Sequence, residues 1–231
     1  MSTLNQIAYN ILMSVRPHLI DDEDLDIRKV KHDVHLKRAL FIRNELNKNR
    51  TIDINLVQTL GCVEVEWANP IECCIDIPID CKLLRTKERI PNAIELHNSK
   101  LITRVGSIFL MNKKFNFVSY DRFIFSGNTE YNKNEIYATL HDGYIYLKSN
   151  SLSLNGIKYI DIQGVFEDPS EVANFKDCDG KVCYSDDDTY PVNMWMEDYI
   201  KSALIEEYFK VTLRATKDTA NDADSKQTDN S

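Results

Sequence analysis

The sequence predicts an α+β protein: an N-terminal helical hairpin and a long C-terminal helix on either side of a central antiparallel β-sheet or small barrel. Three observations predict this order. Apolar residues recur at helical spacing in residues 4–48 and again after Pro191. Short alternating segments separated by turn residues fill residues 62–166. Asp142-Gly143 lies between two of those segments, and it indicates a hairpin because a type I′ turn needs positive φ at both central residues.

The N-terminal part predicts two amphipathic helices joined by an acidic connector. Thr3 and Gln6 form a capping box, and the first helix should end near Pro17. The second helix covers about residues 27–48, with an apolar row facing its partner and basic side chains on the other sides. The predicted apolar row is Ile27, Val30, Val34 and Phe41, and the predicted outward basic residues are Arg28, Lys31, Lys37, Arg38, Arg43 and Lys48.

The hairpin turn also sets the register of its two strands. A two-residue loop pairs His141 with Tyr144, and one face of the hairpin then becomes aliphatic while the other carries Tyr, Thr and His. The further predicted pairs are Leu140 with Ile145, Thr139 with Tyr146, and Ala138 with Leu147. A third alternating run ends at Gly164 and is predicted to complete a three-stranded meander with one buried face.

Beyond Pro169 the sequence predicts a polar loop followed by a long helix. Pro191 suits the first turn of that helix, because no intrahelical bond would use its missing N–H. An apolar stripe starting at Met194 should pack on the N-terminal helices. The last residues contain no large apolar side chain, so this tail should be disordered when free. The predicted regions are 1–61 (helical), 62–169 (antiparallel β), 170–215 (loop and long helix) and 216–231 (polar tail).

The charge of the chain is unevenly distributed. The formal net charge is −8, which argues against broad, salt-driven binding of nucleic acid. From Asp26 to Arg50, however, eight basic residues face three acidic ones, which gives this segment +5 and leaves −13 for the rest. Such a helix is interpreted as a solvated face, with docking to an acidic partner or to nucleic acid as alternatives. No apolar run reaches membrane-spanning length, and the N-terminus lacks the features of a signal peptide.

The six cysteines do not predict a metal centre. Their spacing contains no C-x-x-C pair, whereas structural zinc sites use thiolates two to four residues apart in two clusters. Disulfides are not expected without a secretory signal, so all six are predicted to be reduced, partly buried thiols. They are Cys62, Cys73, Cys74, Cys81, Cys178 and Cys183.

Two other candidate metal sites also fit their patterns poorly. On a calcium-loop pattern that closes at Asp186, the first ligand position would be Phe175, so Asp179-Gly180 is interpreted as a turn in a solvated loop. His32 and His35 lie three residues apart among cations and are interpreted as surface residues. No catalytic motif is present, so the prediction has no catalytic, cofactor or metal residues, and a metal-binding enzyme is the weakest alternative.

Three stretches of the chain carry a family resemblance. They are LNQIAYNIL with RALFIRNELNKN and LGC near the N-terminus, the central GVFEDPSEV, and the late YPVNMWMEDYIKSALIEEYF. Their order and spacing resemble a ring-forming head-to-tail connector protein, similar to a tail adaptor, of crAss-like bacteriophages. The resemblance spans nearly the whole chain but leaves out residues 73–81 and the polar tail.

The resemblance implies a non-enzymatic virion protein that needs no cofactor and is assembled in the host cytoplasm. Copies are expected to form a closed ring of about twelve that joins the portal protein to neighbouring ring or tail proteins. DNA would pass through the enclosed genome-exit channel without sequence-specific binding. Lys37, Arg38 and Arg43, together with Trp195, are predicted to contact partners, with an acidic surface of the portal or of a neighbouring subunit facing the basic side chains. A nucleic-acid-binding module that uses the basic helix is the alternative.

Overall fold

The fold is α+β, as predicted, and the chain divides into two compact units. The helical unit comprises residues 1–42 and 186–231, and the barrel unit comprises residues 43–185. The computed structural model describes residues 2–18, 25–48, 51–69, 83–97, 99–108, 114–127, 130–132, 134–149 and 152–224. Within these ranges, none of the helices combines the length and the apolar character needed to cross a membrane.

The helical unit begins with α1 (Leu4–Val15), whose predicted capping box is confirmed. The Thr3 hydroxyl accepts the N–H of Gln6, and the Gln6 side chain accepts the N–H of Thr3. Helix α1 is followed by a 3₁₀ turn (Arg16–His18) at Pro17, where the sequence predicts its end. Its buried face is Leu4, Ile7, Ala8, Ile11 and Val15.

The second helix, α2 (Ile27–Asn47), runs through the boundary between the two units and buries only part of the predicted row: Val30 and Val34 are buried as predicted. Ile27, predicted to face inward, is 37% exposed, and Arg38, predicted to face outward, is fully buried. The buried row is Val30, Val34, His35, Arg38 and Ile42. Four of these residues follow strict i, i+4 spacing, so Arg38 occupies a core position of the helix.

The long C-terminal helix, α4 (Met194–Asp224), differs from the prediction at both ends. It starts three residues after Pro191, because Asn193 provides the first carbonyl, which accepts the N–H of Glu197. It also continues to Asp224, so the prediction of a disordered tail from residue 216 is wrong for residues 216–224. The rest of that tail lies outside the described residues. Helix α4 buries Met196, Glu197, Ile200 and Leu204.

The barrel unit contains seven strands in one sheet. They are β1 (Gln58–Ala68), β2 (Leu83–Thr86), β3 (Ile102–Ser107), β4 (Asn116–Phe117), β5 (Tyr137–His141), β6 (Tyr144–Lys148) and β7 (Tyr159–Gly164), in the order β3-β7-β1-β2-β6-β5-β4. The sheet is mixed, because β4 is parallel to β5 while the other neighbours are antiparallel. The two edges meet where the Phe115 N–H donates to the Val105 carbonyl at 2.8 Å, which nearly closes the sheet into a barrel.

The predicted hairpin is confirmed, and the predicted meander is wrong. Asp142 and Gly143 have φ of +50° and +81°, as a type I′ turn requires, and every predicted pair of β5 and β6 is observed. Strand β7 ends at Gly164 as predicted, but it pairs with β1 and β3 instead of β6. Strands β1 and β2 lie between β7 and the hairpin, so sequence proximity did not give the strand order.

Both faces of the hairpin are buried, which corrects the prediction of one solvated face. A short helix, α3 (Tyr120–Phe125), interrupts the region of residues 62–166 that was predicted to hold only short strands. Phe123 packs in a cluster with Leu83, Tyr137 and Tyr146 on the face expected to be exposed. The β-branched and aromatic side chains of that face therefore form a second layer of the core.

Candidate partner-binding surface

The best-defined exposed apolar feature of the helical unit is an aromatic cluster between α2 and α4. The Phe41 ring meets Trp195 edge-on with ring centroids 5.3 Å apart, and it lies 4.5 Å from the Tyr199 ring. Trp195 and Tyr199 are four residues apart on α4, so both project from one face of the helix. They remain 50% and 56% exposed. The cluster holds α4 against α2 and still leaves two large aromatic surfaces open to a partner.

The four predicted partner-binding residues have different surroundings. Trp195 belongs to the aromatic cluster, and Arg43 is exposed in the barrel-unit part of α2. Lys37 is partly exposed, and its ammonium group forms a 2.6 Å ion pair with Glu207 of α4. Arg38 is fully buried, so its predicted outward orientation is wrong.

Arg38 organises the polar interior of the helical unit. Its Nε–H donates to the Pro191 carbonyl at 2.8 Å, and its guanidinium group lies 5.8 Å from the centroid of the Tyr190 ring. A fully buried guanidinium requires hydrogen-bond acceptors, since an unpaired buried charge is costly. The segment before α4 meets this need by presenting a backbone carbonyl and an aromatic face.

His35 is the second polar core residue that was assigned to the surface. It is buried, and its Nδ1 lies 2.8 Å from the Tyr190 hydroxyl, whereas His32 is exposed as predicted. His35 and Arg38 thus bracket the same tyrosine from one helix. The i, i+4 row through Val34 and Ile42 is the signal that could have identified Arg38, because residue 38 lies midway between them.

Two further polar contacts of α2 join it to residues that are distant in sequence. Lys31 and Asp186 form a 2.8 Å ion pair, and the Tyr208 hydroxyl donates to Asp33 at 2.7 Å. Burial, followed by the hydrogen bond to Asp33, raises the pKa of Tyr208, so the phenol remains a donor at physiological pH. The Tyr208–Asp33 hydrogen bond and the Lys37–Glu207 ion pair join α4 to α2, and they hold the exposed aromatic pair as a preorganised surface.

A buried carboxylate ties the N-terminus to α4. Glu197 accepts hydrogen bonds from the Ser2 hydroxyl at 2.7 Å and from the Lys201 ammonium group at 2.6 Å. Burial alone would raise the pKa of Glu197, but the bonds from Lys201 and Ser2 outweigh burial and hold this pKa below the ordinary value of 4.5. The folded state therefore favours the ionised carboxylate.

We expect this carboxylate to make the helical unit acid-sensitive. A lowered folded-state pKa stabilises the fold above the ordinary value of 4.5, and this stabilisation is lost as the pH falls through the folded-state pKa. Glu197→Gln should lower the free energy of unfolding at pH 7 by about 1.5–3 kcal/mol and flatten its dependence on acid pH. Urea unfolding at several pH values between roughly 3 and 7, the range in which protonation of Glu197 changes the stability, measures both the loss at pH 7 and the flatter pH dependence.

The exposed neighbour Asp198 supplies the control for this measurement. Asp198→Asn should change the stability at pH 7 by no more than about 0.5 kcal/mol. A Glu197→Gln protein that loses stability in acid as steeply as the unchanged chain would contradict the assignment.

The barrel unit holds a disulfide between Cys62 and Cys178, which corrects the prediction that all cysteines are reduced. Their Cα atoms are 5.1 Å apart although 116 positions separate them in the chain. Cys62 lies in a bulge of β1 with φ of +47°, where the register with β7 shifts between Leu60 and Val63. Cys183 is a free thiol, and Cys73, Cys74 and Cys81 lie outside the described residues.

A cleft of about 610 Å³ lies beside this bulge in the barrel unit. On its rim the Asp177 carboxylate accepts the backbone N–H groups of Asp179 and Lys181, and Gly180 has φ of +82°. The predicted Asp-Gly turn is thus observed, with both hydrogen bonds accepted by Oδ1 of Asp177. No group of three or more potential metal-ligating residues occurs within the described ranges. The cleft walls include Cys62, Glu64, Lys87, Glu88, Tyr159 and Lys176.

Two comparisons with known proteins bear on these surfaces. A family model from crAss-like phages, described as phage tail ring protein 2, matches residues 6–230. No curated protein matches the chain. The family match begins within α1 and runs through both units.

Proposed function

The chain belongs to the phage tail ring protein 2 family of crAss-like phages, and from that premise we propose that it is a ring-forming head-to-tail connector. Membership makes it a virion protein with a structural role in the phage tail. The proposal adds that its ring joins the portal protein to the tail, surrounds the genome-exit channel and is assembled in the host cytoplasm. The observation that carries it is the family match over nearly the whole chain.

The composition supports a role as a channel wall. A ring of about twelve copies would carry a large negative charge, because each copy has a formal net charge of −8. Negative surface repels the DNA backbone, so DNA could slide through such a ring without being held. The same charge disfavours a protein that works by gripping nucleic acid.

The basic part of α2 supports protein contacts better than DNA binding. Lys31, Lys37 and Lys48 form ion pairs within the chain, and Arg38 is buried. Four of the eight cations of this segment are therefore already paired or buried within the chain, although Lys48 is 68% exposed in its pair, and this weakens the nucleic-acid alternative. The proposed partner contacts use the exposed Arg43 and Trp195, facing the portal or a neighbouring subunit, and Lys37 would join them only by exchanging its ion pair with Glu207 for one with the partner.

Imaging of intact particles tests the proposed function. The expected result is a closed ring of this chain between the portal and the tail, with the channel on the ring axis. A ring elsewhere in the tail would refute the connector role, and a chain that is not in a ring would refute the wider proposal. DNA binding by the purified chain with a steep salt dependence, about −0.9 per neutralised phosphate, would instead support the alternative.

A further inference from the structure

The outward face of α2 in the helical unit combines positive charge with aliphatic side chains. Lys29, His32, Leu36 and Leu40 are exposed and follow spacings of three, four and four residues, so they lie on one face of the helix. Leu36 and Leu40 are 50% and 53% exposed. Arg28 is exposed beside Lys29. We name these five residues the basic stripe.

An exposed face of α4, whose aromatic side chains also contact Phe41 of α2, combines negative charge with aromatic side chains. Trp195, Asp198, Tyr199, Ser202 and Glu206 are exposed and follow the i, i+3, i+4, i+7, i+11 pattern of one helical face. The carboxylate of Glu206 is 71% exposed, and its ion pair with Lys210 spans 3.6 Å at the surface, where such pairs contribute little. We name these five residues the acidic stripe.

The two stripes are complementary because each carries large apolar side chains and the two carry opposite charges. In each stripe the large apolar side chains lie toward one end, Leu36 and Leu40 on α2 and Trp195 and Tyr199 on α4, and covering them gains hydrophobic free energy. The charges lie mainly toward the other end, positive at Arg28 and Lys29 and negative at Glu206, with Asp198 between the two aromatic residues. Apolar patches with complementary charges beside them favour one partner and one register.

We propose that the basic stripe of one copy docks on the acidic stripe of the next copy in the ring. This inference rests on the proposed function, because a ring needs a heterologous interface in which two different surfaces of the same chain meet. The helical unit supplies two such surfaces on two of its helices. The packing would be helix on helix, with Leu36 and Leu40 against Trp195 and Tyr199.

Charge reversal with rescue tests the docking. The full chain is supplied to a phage that lacks its own copy, and the chain in purified particles is quantified and imaged. Arg28→Glu with Lys29→Glu makes both stripes negative, and Asp198→Lys with Glu206→Lys makes both positive. Each double variant alone should enter rings at least about tenfold less than the unchanged chain, since like charges then meet at every junction.

Two further samples should restore the rings. The fourfold variant reverses both stripes and recovers opposite charges at each junction. An equal mixture of the two double variants does the same by alternating around a ring with an even number of copies. Lys100→Glu with Lys181→Glu, a matched reversal at exposed positions of the barrel unit, should enter rings like the unchanged chain.

The possible outcomes separate the two proposals. Absence of the unchanged chain from rings would overturn the proposed function. Rings of the unchanged chain together with full incorporation of both double variants would overturn only the docking. Loss of the double variants without rescue by the fourfold variant or the mixture would also overturn the docking of one copy on the next, with a different protein then bound by the stripes. An unfolding midpoint in urea that matches that of the unchanged chain ensures, for each variant, that misfolding does not imitate a lost contact.

Discussion

Arg38→Ala is expected to lower the free energy of unfolding of the helical unit by about 3–5 kcal/mol. The substitution removes one of the largest fully buried side chains and leaves the Pro191 carbonyl without its 2.8 Å donor. Both effects act at one place: a cavity opens in the core, and a buried acceptor loses its partner. Arg38→Lys keeps the charge and most of the stem but loses the Nε–H, so an intermediate loss of about 1–2 kcal/mol is expected.

The measurement needs a signal from the helical unit alone, since a chain with two compact units need not unfold in one step. The chain has two tryptophans, so Trp195 fluorescence in a Trp67→Phe background provides that signal during urea unfolding. Lys29→Ala on the exposed face of α2 is the matched control and should stay within about 0.5 kcal/mol. An Arg38→Ala protein as stable as this control would show that the buried guanidinium contributes nothing net.

The local features of the fold were predictable because their causes are local. The capping box of Thr3 and Gln6 needs only residues three apart. The register of β5 and β6 follows from the backbone demands of Asp142-Gly143. In both cases a few neighbouring residues determine the geometry, so the sequence window contains all the information required.

The errors concern features that depend on distant partners. Strand β7 inserts between β1 and β3, and its alternation shows which face is buried but not which strand lies beside it. Arg38 and His35 are core residues only because Pro191 and Tyr190 reach them from more than 150 positions away. A charged residue on an amphipathic helix is ordinarily assigned to the solvent side, and that rule fails where tertiary contacts satisfy the charge.

The candidate partner-binding surface was also predictable only in its local part. The spacing of the long helix predicted an apolar stripe, but the observed core of α4 uses Ile200 and Leu204 and leaves Trp195 and Tyr199 exposed. The apolar and aromatic residues of α4 cover more of the helix than the core of this chain buries. Such an excess in the sequence indicates that a second protein covers the rest. The ring family of the chain gives that excess a physical meaning, since surfaces covered only in an assembly must be exposed in one copy.

Removing the disulfide is expected to have the largest effect in the barrel unit. Cys62 and Cys178 close a loop of 116 positions, and a cross-link over so long a loop restricts the unfolded chain strongly. Reduction, or Cys62→Ser with Cys178→Ser, should lower the free energy of unfolding of this unit by about 2–5 kcal/mol. Urea unfolding with and without reductant, followed by Trp67 fluorescence in a Trp195→Phe background, measures the loss.

Single variants separate the stability that the disulfide contributes from the backbone strain at the bulge of β1. Cys178→Ser should cost as much as the double variant, because either change removes the same bond. Cys62→Gly should cost about 0.5–1 kcal/mol less than Cys62→Ser, since glycine accepts the φ of +47° without strain. Cys183→Ser, at the free thiol, is the control and should retain the response to reductant. Identical unfolding curves with and without reductant would mean that the bulge and the loop around Cys178 hold together by packing alone, with no covalent contribution.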